Sequence, residues 1–255
     1  MSRRKCLVFD WNGTLIEDKD EKRLFKYLLE KQILESLKTF KMGKYILLKR
    51  INKKLEKLYA NVYDSHTDFS VIETVFDLYN KNVLNKMSID KIEKYIEEYA
   101  EEACNRLDKR IFIPLRSKYN NKHLADITCI ISSGYDNGIK TILQKASYNY
   151  MFDFIVANKL IDNIDGSKYF SLEILDNKLS ILKYLLYQNA IPVSNAAYIG
   201  DSVLDVECLK FVGYPIVSYF ADADFKEFCR DTIRATILEL PQDFAEFLDF
   251  FLDIP

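Results

Sequence analysis

Glycine and proline are scarce in this sequence, with seven and five in 255 residues, which excludes a collagen-like or linker-like chain. Cysteine is also scarce and never forms a CxxC pair. The scattered thiols indicate buried, reduced side chains in a cytoplasmic protein. The five cysteines are Cys6, Cys104, Cys129, Cys208 and Cys229.

Long apolar runs are missing. None reaches the roughly 18 residues of a membrane helix, and the run 6–9 that follows the basic N-terminus is too short for a signal-peptide core. A net charge of −2 argues against a chain built chiefly to hold nucleic acid. We therefore expect a cytoplasmic protein with neither a membrane nor a nucleic-acid partner. The oligomeric state is not indicated.

The sequence is rich in core-forming residues, with 49% hydrophobic residues and 17 each of Phe and Tyr. Short apolar runs without alternation, each followed by polar turn chemistry, predict strands buried on both faces. Helical spacing between them predicts an α/β fold, a Rossmann-like parallel sheet with helices on both faces. The runs are residues 6–9, 127–131, 154–156, 197–199 and 216–217.

Residues 18–110 differ because they lack strand-like runs and are dense in Lys, Glu, Leu and Tyr at helical spacing. The spacing predicts an inserted α-helical domain over 18–110 and an α/β core formed by 1–17 and 111–255. Four helices are expected in the insertion, over 21–40, 44–60, 68–84 and 88–108, and a last amphipathic helix over 242–252.

Polar side chains fall at the predicted carboxyl ends of the strands, where α/β sheets bind ligands. Asp10 follows the first strand, and Asp201 and Asp205 follow another. Clustered carboxylates suit Mg²⁺, which bridges to phosphate. Ser132 and Ser133, with nearby backbone N–H groups, suit phosphate oxygens.

Four motifs in order resemble those of the haloacid dehalogenase superfamily. They are LVFDWNGTL at 7–15, Ser132 after an apolar strand, Lys178 at the start of a predicted helix, and GDSVLD at 200–205. The run SSGY at 132–135, the run IVANKL at 155–160 and the long helical insertion are most similar to the phosphoserine-phosphatase-like branch.

The resemblance implies a Mg²⁺-dependent phosphatase that acts on a small phosphorylated metabolite, with a helical cap that excludes water and selects the leaving group. Asp10 would attack phosphorus and form an aspartyl-phosphate. Mg²⁺ would be held by Asp10, by the backbone carbonyl of Asn12 and by Asp201, with Asp205 as a direct or supporting ligand. Ser132, Ser133 and Lys178 would bind the phosphoryl group, and Lys178 would stabilise its charge.

Asn12 departs from the family pattern, which usually has a second Asp at this position as general acid and base. Asn cannot exchange a proton in this way, so slow turnover of alkyl phosphates is expected. Two alternatives stay open: a weakly catalytic binder or regulator that senses a phosphorylated ligand, and a phosphotransferase.

Two further features concern substrate and surface. Phosphoserine phosphatases have an acidic residue shortly after the first motif that recognises the amino group of the substrate. The matching position in this sequence is about Lys19, and its acidic neighbours Asp18 and Asp20 could take that role.

The lysine-rich stretch 41–57 is interpreted as the solvated face of an amphipathic helix, with an anionic partner such as nucleic acid or lipid as the alternative.

Overall fold

A six-stranded, all-parallel sheet lies at the centre of the larger part of the protein, with strand order β3-β2-β1-β6-β7-β8. The computed structural model describes residues 4–17, 20–62, 69–121, 125–164, 166–174 and 176–253. The strands are β1 (Cys6–Phe9), β2 (Ile127–Tyr135), β3 (Phe154–Asn158), β6 (Ala196–Gly200), β7 (Tyr214–Val217) and β8 (Thr236–Ile237), and a separate antiparallel pair is formed by β4 (Leu160–Asp162) and β5 (Lys168–Phe170).

Ten α-helices are described. Five lie in the first half of the chain: α1 (Asp20–Lys38), α2 (Met42–Val62), α3 (Phe69–Asn82), α4 (Ile89–Ala103) and α5 (Lys109–Asn120). The others are α6 (Asp136–Lys145), α7 (Lys178–Gln188), α8 (Val206–Phe211), α9 (Ala223–Phe228) and α10 (Asp243–Asp253). None of the described helices is both long and apolar enough to cross a bilayer.

Side chains of β1 alternate between two packed layers. Cys6 and Val8 join the cluster that holds Leu182 of α7 and Leu209 of α8. On the opposite face, Phe9 packs its ring against Phe244 of α10. Helices therefore cover both faces of the sheet, which explains why its central strands are continuous apolar runs and confirms the predicted fold class.

The chain forms two compact units. The larger contains Met1–Asp20, Glu102–Asn158 and Leu172–Pro255, and the smaller contains Glu21–Glu101 with Lys159–Ser171. The smaller unit thus combines helices with the β4–β5 pair, whose residues were not expected to leave the core. The division into 1–17 with 111–255 and 18–110 stays a prediction.

Helix ends differ from the expected ones where local capping decides. The last helix of the insertion was expected to run to residue 108, but α4 ends at Ala103 and α5 begins at Lys109. A 3₁₀ turn over Cys104–Arg106 follows α4, and Asp108 then caps α5, because its side chain accepts a hydrogen bond from Arg110 N at 3.0 Å.

Candidate active site

The loop after β1 places Asp10 at the carboxyl end of the sheet. Asp10 N donates to Ile199 O of the neighbouring β6 at 2.9 Å, so the strand pairing extends to this residue. Trp11 O then accepts from the backbone N–H groups of Thr14, Leu15 and Ile16. The chain turns tightly here, and the buried Asp10 carboxylate stays at the strand end.

Gly13 lets a second carboxylate approach this loop. Its φ is +63°, a left-handed conformation that a residue with a Cβ adopts with strain, and a Cβ there would lie 2.0 Å from Asp201 Oδ2. Asp201 follows β6, directly after Gly200. Only glycine at position 13 lets the loop of the first motif approach Asp201 of the fourth motif this closely.

A buried lysine joins two carboxylates. Lys178 Nζ lies 2.8 Å from Asp205 Oδ1 and 3.1 Å from Asp10 Oδ1, and all three side chains are buried. Tyr198 of β6 adds a donor, because its hydroxyl lies 2.7 Å from Asp205 Oδ1. The charge-assisted hydrogen bond to Asp205 holds the Lys178 ammonium in an ion pair with Asp10.

The second oxygen of Asp205 is bound by the loop that carries Asp201. Asp205 Oδ2 accepts from Asp201 N at 3.2 Å, from Ser202 N at 3.3 Å and from Ser202 Oγ at 3.4 Å. Protein donors therefore engage both oxygens of Asp205, and this carboxylate orients the Asp201 backbone and Lys178 together.

Burial and mutual charge shift the titration of these groups. Burial raises the pKa of Asp10 to about 6, although the nearby Lys178 ammonium lowers it, and the negative charge of Asp205 raises it further. Burial alone would lower the pKa of Lys178, but attraction to Asp10 and Asp205 outweighs it and holds that pKa above its ordinary value. Lys178 is thus a permanent cation beside Asp10.

Ser132 of the second motif and Asn12 of the first motif both lie beside Gly134. A Cβ on Gly134 would lie 3.4 Å from Ser132 Oγ and 3.6 Å from Asn12 Nδ2, so both polar atoms border the same small volume. Ser132 Oγ accepts a hydrogen bond from Gly134 N at 3.1 Å. Ser133 is held through its carbonyl, which accepts from Asn158 Nδ2 at 2.7 Å.

A buried network that the sequence did not indicate orients Asn12. Its Oδ1 accepts from Asp20 N at 2.8 Å. The Asp20 carboxylate accepts from Trp11 Nε1 at 3.2 Å and from Arg106 Nη2 at 2.9 Å. Because Oδ1 is engaged in this way, the Nδ2 of Asn12 is the atom that faces Gly134.

This network bears on the expected amino-group recognition. Asp20 is buried and paired with Arg106 in an ion pair, so its carboxylate is engaged within the protein. Lys19 and Asp18, the other residues considered for that role, lie outside the described residues.

The structure brings together the three carboxylates among the four predicted metal ligands, and the ligation by the Asn12 backbone carbonyl stays a prediction. One carboxylate oxygen from each of Asp10, Asp201 and Asp205 lies within 4.8 Å of the others. An all-oxygen donor set with an excess of negative charge fits a hard divalent cation such as Mg²⁺. The network of Asp20, Trp11 and Arg106 and the hydroxyl of Tyr198 were missed, since no linear motif marks them.

Comparison with known proteins places this site in a family. The profile of the haloacid dehalogenase-like hydrolases matches residues 7–210, which span all four motifs. The chain belongs to the haloacid dehalogenase-like hydrolase family. A search of curated protein sequences finds no significant match.

Solved structures with the same fold include phosphoserine phosphatases. A substrate-bound phosphoserine phosphatase complex is similar with a TM-score of 0.60 and 17% identity, covering 98% of this chain and 99% of that one. A phosphoserine phosphohydrolase-like protein from Francisella tularensis subsp. tularensis SCHU S4 has a TM-score of 0.61 and 16% identity, with 96% and 99% covered. A protein from Bordetella pertussis Tohama I whose function is unknown has a TM-score of 0.63 and 14% identity, with 93% and 99% covered.

The fold is therefore that of the phosphoserine-phosphatase-like branch, as the motifs indicated. Family membership confirms the expectation of a hydrolase.

Proposed function

We propose that this protein is a Mg²⁺-dependent phosphatase that hydrolyses a small phosphorylated metabolite through an aspartyl-phosphate on Asp10. One observation carries the proposal. The Lys178 ammonium lies 3.1 Å from Asp10 Oδ1 at the carboxyl end of the sheet, within a cluster of three carboxylates. A buried cation beside a buried nucleophile suits attack on an anionic phosphoryl group.

In the first step, a carboxylate oxygen of Asp10 forms a bond to phosphorus as the bond to the leaving oxygen breaks. In the second step, water attacks the same phosphorus, the Asp10–phosphorus bond breaks, and inorganic phosphate leaves with the carboxylate restored. Lys178 stays protonated and stabilises the phosphoryl oxygens in both steps.

The second motif binds the phosphoryl group in this proposal. Ser132 Oγ accepts from Gly134 N, which leaves its O–H free to donate to a phosphoryl oxygen. Asn12 Nδ2 faces the same volume and is a second neutral donor. Ser133 completes the binding loop, positioned through its carbonyl by Asn158.

Asp10, Asp201 and the Asn12 backbone carbonyl would hold Mg²⁺, which when bound neutralises phosphoryl charge and fixes the group in line. Asp205 supports the site by orienting Lys178 and the Asp201 backbone. The hydrogen bonds to both of its oxygens favour this supporting role over direct ligation.

Asn12 limits the chemistry. An amide donates hydrogen bonds but neither gives up nor takes up a proton near neutral pH, so the leaving oxygen and the attacking water depend on solvent for proton transfer. The rate of hydrolysis should be reduced least for substrates whose leaving groups need no proton, such as aryl phosphates.

The test is the release of inorganic phosphate from a panel of phosphorylated metabolites and from 4-nitrophenyl phosphate, with and without Mg²⁺. Asp10→Asn should abolish release, and the exposed Asp224→Asn should leave it unchanged. Activity that survives in Asp10→Asn would overturn the assignment of the nucleophile.

Asn12 also favours a second candidate function, a phospho-ligand binder with little turnover. In that case a phosphorylated metabolite would bind with Mg²⁺ present, as seen by calorimetry, while even 4-nitrophenyl phosphate would not be hydrolysed. A phosphotransferase would instead show slow phosphate release together with transfer to added alcohols.

A further inference from the structure

The turn between α1 and α2, in the smaller unit, exposes an unusual residue. Phe40 has a φ of +54°, the left-handed region where glycine is preferred at the end of a helix. Its side chain is 88% exposed, so packing does not explain why a bulky ring occupies this position. The left-handed backbone itself ends α1, since Lys41 N donates to Ser36 O at 2.9 Å, but nothing in the fold requires a phenyl ring there, which points to a function of the ring.

Phe40 is one of five exposed apolar side chains at and beside the turn between α1 and α2, which together we call the tip patch. Each member is at least about half exposed, and the members come from the last turn of α1, the turn itself and the first turns of α2. They are Leu37, Phe40, Met42, Ile46 and Leu47.

Positive charge accumulates along the sequence around the tip patch, and Glu35 offsets part of it beside Lys41 and Lys44. Residues 36–55 contain no Asp or Glu, in a protein whose net charge is −2. The same segment holds seven cationic side chains: Lys38, Lys41, Lys44, Lys49, Arg50, Lys53 and Lys54. All of them lie in the part of the chain that the structure describes.

Helical geometry places apolar and basic groups on the same outward side. Leu48, Ile51 and Leu55 are buried and form the inner stripe of α2. Ile46, Arg50 and Lys53 are spaced by four and three residues on the opposite side and are exposed. The outward face of α2 thus runs from apolar at the tip to basic further along.

From this arrangement we propose that the turn between α1 and α2 docks on an anionic phospholipid bilayer, with the tip patch inserted among the lipids and the basic face of α2 on the headgroups. Exposed aliphatic and aromatic side chains gain free energy in the interface, and lysines and arginines attract anionic headgroups. A nucleic acid would use the charges but not the apolar tip, so the combination favours a lipid surface.

Docking of this kind requires no spanning helix, because a peripheral contact needs only the interface. The expectation that no membrane partner exists was based on the absence of long apolar runs, which excludes spanning but not docking. The proposal is independent of the phosphatase chemistry, since the site residues lie in the other unit.

The experiment is flotation of the full-length protein with vesicles of phosphatidylcholine alone or mixed equally with phosphatidylglycerol. We expect binding to the anionic vesicles, loss of that binding at raised salt, and little binding to the neutral ones. Phe40→Gly should weaken binding at least about tenfold. It removes the ring but relieves the left-handed backbone, so lost binding would not reflect unfolding.

Phe40→Trp should retain binding, and its fluorescence should shift to the blue on addition of anionic vesicles. Lys53→Glu with Lys54→Glu should also weaken binding at least about tenfold. The matched controls lie in the same unit: Ile164→Ser, at a side chain exposed at 110%, and Lys26→Glu with Lys94→Glu on exposed positions should bind as the parent does.

Absence of binding to anionic vesicles would overturn the proposal, as would binding that Phe40→Gly leaves intact. Binding of duplex or single-stranded nucleic acid that needs Lys53 and Lys54 but not Phe40 would assign the basic face to a different partner and also overturn it.

Discussion

Replacement of Asn12 by Asp should accelerate the proposed hydrolysis of alkyl phosphates. The substitution is isosteric, and Oδ1 keeps its hydrogen bond from Asp20 N, which is 2.8 Å long in the parent. The new carboxylate oxygen therefore takes the place of Nδ2, the atom that borders Gly134 and Ser132. A proton-transfer group then lies where the phosphoryl group is proposed to bind.

The size of the expected rate gain follows from the general acid and base that the parent protein lacks at position 12. General acid–base catalysis contributes about 10²–10⁴-fold, which corresponds to roughly 3–5 kcal/mol of activation free energy. Asn12 is buried, and a carboxyl group in that position favours its protonated form, as a general acid requires near neutral pH. We expect a gain in kcat/KM of about this size for an alkyl phosphate.

The assay compares kcat/KM for an alkyl phosphate and for 4-nitrophenyl phosphate in the parent and in Asn12→Asp. The aryl phosphate should gain much less, because its leaving group needs no proton. Asp10→Asn in the Asn12→Asp background should remove the gain. An equal gain on both substrates, or none on the alkyl phosphate, would refute the role given to Asn12.

Three further predictions concern the support of the site. Tyr198→Phe removes a donor 2.7 Å from a buried carboxylate, so the free energy of unfolding should fall by about 2 kcal/mol and Tm by roughly 4–8 °C, while the exposed Tyr187→Phe should change neither in thermal unfolding. Gly13→Ala puts a methyl group where Asp201 Oδ2 lies, so Mg²⁺ affinity measured by calorimetry should fall roughly 10–100-fold, and unchanged affinity would contradict the proposed ligand. Because burial raises the pKa of Asp10 to about 6 and the cation competes with that proton, Mg²⁺ affinity should decrease as the pH falls through about 6, and an affinity independent of pH across that range would contradict this.

The fold was predictable wherever one element carries its own signal. The central strands β1 and β6 are buried on both faces, so each is an apolar run that needs no partner to be recognised. The pair β4 and β5 was missed because each strand has three residues and stays partly exposed, which leaves no periodic signal. Contacts with other parts of the chain, rather than local preference, define such short strands.

The same distinction applies to the site. Asp10 and Lys178 were predicted as site residues because a linear motif marks each of them. The partner of Asp20 could not be found in this way, since Arg106 lies 86 residues further along the chain. Tyr198 belongs to an apolar run, and its role depends on a hydroxyl that reaches Asp205 only in the folded chain.

The charges of the site explain why these separate motifs belong together. Asp10, Asp201 and Asp205 carry three negative charges where ionised, and Lys178 supplies one positive charge. Burial makes such an imbalance costly, and burial is also the largest reason why the pKa of Asp10 is raised despite the nearby ammonium. A divalent cation would supply the missing two positive charges, and a bound phosphoryl group would then find a site whose own carboxylates no longer repel it. The carboxylate cluster thus favours a cation first and an anionic substrate second, an order that the dependence of phosphate affinity on Mg²⁺ would reveal.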